Sequence, residues 1–448
     1  MKLKISLVVI SFYLTVSALA QQPQILGLQQ AIQIALEKNV SVVQAQYNVD
    51  AASGRVLGAY GNYLPTLSAT AGWSRTQVDQ QGGTRVVQGQ VTTYDATFVV
   101  ANNFSTGLIL NYTLFDGLNR ESAYNGAKAS ALSSEDKSIR TRQTITNQVE
   151  NSYLNILRLD QLVKVSEENL KRDNRQLERI TESNKVGAVA LADVYRQQTQ
   201  VASDELSLIT AQNNFDKAKA DMVALIGLDM GTEYQFSDPS ILTKIDQVEM
   251  DSTRQKYSSL NQLSQRAIAA RPDYLAAREE LSSAESGVTS ARSGYFPSVS
   301  AFTSLNLSNT EVGTIAENKN LNWGVSLRWN VFDAFRTNQS LQSAIATQKA
   351  AESSISQAER DITVQVKKAL LDLEASRKQA EVSQKGLISA TEDRKIAEER
   401  YNLGAGTLLD LLTANAGLVN AQANEINATY NYFISKRNLE YVIGERTY

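Results

Sequence analysis

The chain carries one long pattern twice. Val186-Gly187-Ala188-Val189-Ala190-Leu191-Ala192-Asp193 returns as Leu403-Gly404-Ala405-Gly406-Thr407-Leu408-Leu409-Asp410, an offset of 217. Each copy interrupts a long helical pattern and sets a Gly six residues before an Asp. A glycine relieves the steric cost of stopping a helix in a left-handed turn. Each copy therefore reads as the tip of a helical hairpin. Further upstream the repeat holds at another offset, 232, at which Tyr63-Leu64-Pro65 returns as Tyr295-Phe296-Pro297. The offset falls from 232 to 217 within the segments between those prolines and Phe115-Asp116/Phe332-Asp333, so the second copy is the shorter one there. A length change confined between matching flanks belongs to a surface loop.

The pattern divides the chain in order. Residues 1–20 have basic Lys2 and Lys4, an apolar run from Leu7 to Leu19 and a small-x-small end at Ala18-Leu19-Ala20. They read as a signal peptide, with the mature chain starting near Gln21. The first repeat, 21–227, opens on a short extended lead and a helix from Leu28 to Tyr63, ended by Leu64-Pro65. A β-hairpin follows over about 66–115, where Leu67, Ala69, Ala71 and Trp73 alternate with polar residues. Then come two long helices, Leu118 to Val186 and onward to Ile226, with a tip near 187. Val149, Ile156, Val163, Leu170 and Leu177 fall seven residues apart, as do Val194, Val201, Leu208, Phe215 and Met222. That spacing predicts a left-handed supercoiled seam. The connector, 228–259, breaks the pattern and has room for a short helix. The second repeat, 260–448, has its β-hairpin at about 298–332 and its tip near 404.

Composition narrows the function. The 448 residues include no Cys and no His, which removes disulfides, thiolate chemistry and the commonest general base and metal ligand. Asp and Glu are plentiful, but on long helices they read first as a solvated face. A formal net charge of −3 shows no basic nucleic-acid footprint. After residue 20 no run of about 18 apolar residues exists, so a membrane crossing would have to use β-strands.

The last strand points that way. Trp323, Val325, Leu327, Trp329 and Val331 alternate with Gly324, Ser326, Arg328 and Asn330. At about 3.3 Å per residue, Trp323 and Trp329 stand roughly 20 Å apart. A lipid-facing band with aromatic girdles has this form, and Trp73 is a third interface aromatic. A half-buried strand of a soluble sandwich has the same period, so both readings stand. Four strands cannot close a membrane barrel, because open edges in lipid leave backbone groups unsatisfied. A barrel reading therefore requires several copies.

The order helix, β-hairpin, helical hairpin, twice over, resembles the TolC family of outer-membrane efflux proteins. So do the local patterns Asn62-Tyr63-Leu64-Pro65, Leu114-Phe115-Asp116-Gly117 and Tyr401-Asn402-Leu403-Gly404. The resemblance covers essentially the whole mature chain. It implies a mainly α fold with membrane β: a homotrimer sharing a 12-stranded β-barrel in outer-membrane lipid, continuous with a long periplasmic α-helical barrel. It implies a passive exit duct with no catalytic site and no cofactor. Its partners would be a periplasmic adaptor and an inner-membrane efflux pump, or else a type I secretion transporter. It places adaptor contacts at Val186, Gly187 and Ala188 and at Leu403, Gly404 and Ala405. It makes Asp193, Tyr401 and Asp410 gate residues. Gly406 stands where the family pattern has a gate-linking Arg, and Thr413 where it has a second ring Asp. The plainer reading of Asp193 and Asp410 is capping near a helix start, which is compatible with gating. An exported coiled-coil stalk is the competing function; it leaves the two matched strand pairs unexplained. An exported enzyme has little to work with here.

Overall fold

The computed structural model describes residues 24–238 and 245–445; the expected signal segment at 1–20 and the expected mature start at Gln21 lie outside them. A short strand β1 (Gln24–Leu26) leads into α1 (Leu28–Lys38) and α2 (Val40–Gly61). The sequence pattern predicts one helix here, and the structure breaks it at Asn39. The Asn39 side chain accepts from Ser41 N at 2.9 Å and donates to Leu225 O at 2.8 Å. Asn competes with the helix for backbone partners in this way, so it ends one helix and caps the next.

The chain then enters β2 (Thr66–Gln80), β3 (Gly83–Val87), β4 (Gln90–Tyr94) and β5 (Thr97–Phe115). β2 and β5 form the expected long hairpin. The polar loop at its end is itself a small β3–β4 hairpin. It turns on Gln88 and Gly89, both at positive φ, as the right-handed strand twist prefers in a two-residue loop.

Helix α3 (Asn119–Lys185) runs 67 residues, about 100 Å, and α4 (Leu191–Ile226) returns beside it. The entry to α3 is held by Asp116, whose Oδ2 accepts from Arg120 N at 3.1 Å and pairs with Arg120 Nε at 3.2 Å. The Arg120 guanidinium also donates to the carbonyls of Thr113 and Leu114, tying the helix to the end of β5. In the connector, β6 (Tyr234–Phe236) pairs in parallel with β1, and α5 (Gln247–Lys256) packs on later helices.

The same order returns as α6 (Leu260–Ala270), α7 (Pro272–Arg292), β7 (Ser298–Asn309), β8 (Lys319–Arg328), α8 (Arg336–Asn402) and α9 (Leu408–Val442). Here the helix break falls at Arg271, restricted by Pro272 at the first position of α7. β8 ends at Arg328, so the alternating face stops at Leu327, short of Trp329 and Val331. Outside the ladder, Trp329 Nε1 donates to Tyr295 O at 3.1 Å, anchoring the strand exit beside the end of α7.

Packing follows the repeat. One core joins Ala35, Ile145, Val149, Met222 and Ile226; a second joins Ala267, Ile362, Val366, Leu439 and Ile443. These are the same positions in the two copies, at offsets of 232 and 217. The heptad stripe from Val149 to Met222 is buried or half-buried throughout.

The four long strands form one antiparallel sheet in the order β2-β5-β7-β8. Register places Leu67, Ala69, Leu108, Leu110, Leu305, Leu321, Trp323, Val325 and Leu327 on one face. The other face carries Ser68, Thr70, Ser105, Ser300, Ser304, Asn306, Asn322 and Ser326. Neither face is covered by a second sheet; β2 is exposed along its whole length, and β8 everywhere but at the half-buried Gly324. The sandwich reading fails on that point, since a sandwich buries one face of each sheet.

Candidate functional site

The two helical hairpin tips lie side by side. Gly187 at φ 75° and Gly404 at φ 71° adopt the left-handed conformation that favours glycine. Ala188 N donates to Ser183 O at 2.9 Å and Gly187 N to Asn184 O at 2.9 Å. The second tip repeats this with Ala405 N to Arg400 O at 2.9 Å and Gly404 N to Tyr401 O at 3.0 Å. These are the paired bonds of a Schellman motif, which satisfies the last carbonyls of the first helix. At the apices Val186 and Leu403 are 80% and 83% exposed.

Beneath the apices a small core holds the tips together: Ile180 and Val194 from the first hairpin, Leu408 from the second, flanked by Val189, Tyr401 and Leu412. A cleft of about 640 Å³ runs between the tips, lined by Gln176, Arg179, Ser183, Asp193, Tyr401 and Thr407 among others.

The structure brings Asp193 and Tyr401 together across this cleft. Burial pushes the Tyr401 phenol above its ordinary pKa; the Asp193 carboxylate adds to that, and Arg179 opposes it. Asp193 Oδ1 accepts from Arg196 on its own helix at 2.9 Å. Asp410 is differently placed. Its Oδ2 accepts from Thr407 N at 2.9 Å and Thr407 Oγ1 at 2.8 Å, while its own N–H donates to Thr407 Oγ1 at 3.2 Å. That is a capping box at the start of α9. The Thr407 N–H, then the Thr407 hydroxyl, hold the Asp410 carboxyl below the usual carboxylate range.

One residue accounts for the different capping of the two tips. The first has Ala190 where the second has Thr407, so α4 lacks a side-chain cap and Asp193 pairs with Arg196 instead. Sequence reading missed Thr407, although Thr-x-x-acid before an apolar run is a helix-start signature. Arg196, three residues after Asp193, offered a local pair that sequence reading also passed over, whereas Arg179 carried no local signal, because its approach to the cleft depends on how α3 is rotated. Gly406 packs closely: a Cβ there would lie 3.2 Å from Arg400 Cβ and 3.3 Å from Tyr401 N. A larger side chain would press on the last turn of α8.

Of the tryptophans, Trp73 lies in β2 with its ring 6.5 Å from that of Phe104, and Trp323 projects from the apolar face of β8. Among the described residues no helix is long and apolar enough to cross a membrane.

Comparison with known proteins agrees with this architecture. Outer membrane protein TolC of Escherichia coli is 22% identical over 447 residues, covering 96% of this chain and 85% of that protein. The pyoverdine export outer membrane protein OpmQ of Pseudomonas aeruginosa is 25% identical, covering 88% and 80%. The solved structure of the outer membrane protein VceC from Vibrio cholerae matches with a TM-score of 0.77 at 20% identity, covering 93% of this chain and 96% of that one. The Campylobacter jejuni CmeC outer membrane channel matches at 0.75 and 20% identity, covering 93% and 85%. The sequence profile of the outer membrane efflux proteins matches residues 31–228 and 263–445, and the chain belongs to that family.

Proposed function

We propose that three copies of this chain close one 12-stranded barrel in the outer membrane, and that their helices form the periplasmic part of a passive exit duct for small molecules. The observation that carries this is the uncovered sheet. It has an apolar face, a polar face and two unpaired edges, β2 and β8. Hydrocarbon suits the first face and water the second, but lipid tolerates no open edge. β8 of one copy beside β2 of the next continues the antiparallel order and leaves an even number of strands. A duct of this kind needs energy from elsewhere. A periplasmic adaptor and an inner-membrane transporter supply it, the adaptor docking on Val186, Gly187 and Ala188 and on Leu403, Gly404 and Ala405. Apolar Val186 and Leu403 stand open at the apices for such a contact. Asp193, Tyr401 and Asp410 gate the narrow end. Trp73, Trp323 and Trp329 lie at the membrane interfaces.

Fractionation tests the reading. The protein should run in outer membranes as an oligomer of three that dissociates only on heating, and its deletion should sensitise cells to small toxic compounds. A monomer in the soluble periplasmic fraction would sink it.

A further inference from the structure

Helices α3 and α4 bury two carboxylates against each other. Asp173 is 1% exposed and Asp204 6%. Asp173 precedes Gly187 on α3 and Asp204 follows it on α4. At about 1.5 Å per residue, both lie roughly 20–25 Å from the first tip. The Asp204 carboxyl lies within hydrogen-bonding reach of the Asp173 carboxyl. Two carboxyl groups bond to each other only when a proton sits between them. Asp173 Oδ1 and Asp204 Oδ2 are buried without a hydrogen-bond partner.

The surroundings supply dipoles and no bonded cation. Gln197, at 0% exposure, lies against the pair, and its Nε2 donates to Asp173 O at 3.1 Å. Its Oε1 is left without a partner. Gln200 Nε2 donates to Asp204 Oδ1 at 3.0 Å. The positive charge acting on the pair is Arg172 on α3, which is engaged with Asn169 Oδ1 at 2.7 Å and faces Glu168. From α8, Arg394 reaches toward Arg172 but is paired with Glu398 at 2.7 Å and bonded to Asn415 of α9. Among the described residues no ion pair joins either carboxylate. Burial, then the Asp204 carboxyl, push Asp173 up to about 7.

We propose that Asp173 and Asp204 hold one proton between them, and that its release to water as the periplasm rises from mildly acidic to neutral loosens the α3–α4 hairpin and the tip it carries. With the proton present, the pair bears one negative charge and one strong hydrogen bond. Without it, two buried negative charges face each other and repel. The folded pair binds its proton more tightly than the unfolded chain, whose Asp has its ordinary value near 4. The stabilisation is therefore complete below about pH 4 and is lost as the pH rises through about 7. A periplasm near neutrality sits at the upper end of that slope, so that acidification tightens the hairpin. The link from the hairpin to the channel rests on the assignment of the tips as the gate.

Two measurements on the full-length protein in detergent or lipid separate these claims. The first is amide hydrogen exchange over residues 165–210 between pH 5.5 and 8.5, corrected for intrinsic rates. The wild type should lose protection by about tenfold for each pH unit between 5.5 and 7 and level off above that. Asp204→Asn should remain protected at every pH, because an amide donates to Asp173 without a shared proton. Asp173→Asn is the second variant, should the first fail to fold. The second measurement is conductance in planar bilayers, which should rise over the same interval in the wild type and stay flat in the variants. Wild-type exchange that does not change with pH, or that changes equally in the variants, overturns the proton pair. A pair-dependent exchange change with flat wild-type conductance overturns the coupling and places the fault in the gate assignment.

Discussion

At the residue scale, capping and charge at the second tip are separable. Thr407 supplies the hydroxyl of the capping box, and Asp410 supplies both the reciprocal acceptor and a negative charge at the second tip. Thr407→Ala removes a Thr cap, which costs about 1 kcal/mol, and leaves the carboxylate in place. It should lower the thermal midpoint and spare cation selectivity. Asp410→Asn keeps a polar acceptor but, in the proposed trimer, deletes three charges from one ring. It should shift the reversal potential in a salt gradient toward zero. Equal reversal potentials in Asp410→Asn and wild type would mean that the residue only caps. The pH dependence has a definite sign. Because the Asp410 carboxyl is held below its ordinary value, the box's contribution is full above about pH 4 and is lost only as the pH falls further. The glycines and acids of both tips were legible from the sequence, as periodic positions interrupted by turn chemistry. Arg179 and the Asp173–Asp204 pair were not. Each lies on a heptad helix among many similar polar residues, and only helix rotation decides which of them meet.

At the element scale, the junction from strand to long helix is built twice with different residues. Gly117 and Leu118 take positive φ before α3; Ala334 and Phe335 take positive φ at the same place before α8. The second copy therefore puts a Cβ where the first has none. A left-handed alanine costs about 1–2 kcal/mol, and replacing it with glycine returns about 0.4–1 kcal/mol to the unfolded chain. By the same magnitudes, Ala334→Gly should stabilise the protein by about 0.5 kcal/mol. Gly117→Ala should cost about 2 kcal/mol, because it adds the same backbone strain and sets a Cβ 2.9 Å from Ser293 O. Opposite shifts in the thermal midpoint are the check; shifts of one sign would deny that the two junctions share a conformation. The duplication made these elements readable, since a pattern seen twice separates helix from strand better than either copy alone. Small breaks escaped it. Asn39 and Arg271 interrupt the same helix by different means, an Asx cap and a proline, so the comparison of copies gave no common signal. The β1–β6 pairing escaped because three-residue strands carry no period.

At the scale of the whole molecule, one chain is an unfinished object. Its helices have cores of their own, but its sheet has none. The sequence exposed this through alternation without enough strands, yet alternation alone could not exclude a second sheet; the uncovered faces do. The two faces then make opposite demands on the same substitution. Val325 and Ser326 are neighbours on β8, opposite Ala301 and Ser300, and point to opposite sides. An arginine on a lipid face costs about 2–4 kcal/mol near the bilayer mid-plane, whereas one on the lumen face stays in water. Val325→Arg should therefore reduce the yield of heat-dissociable oligomer in outer membranes. Ser326→Arg should assemble normally and, with three added positive charges in the lumen of the proposed trimer, carry less cation current in planar bilayers. Gel mobility with and without heating reads the first effect, and single-channel recording reads the second. If Ser326→Arg blocks assembly while Val325→Arg does not, the sheet is inside out relative to this account. If both assemble with unchanged current, the strands do not line a pore.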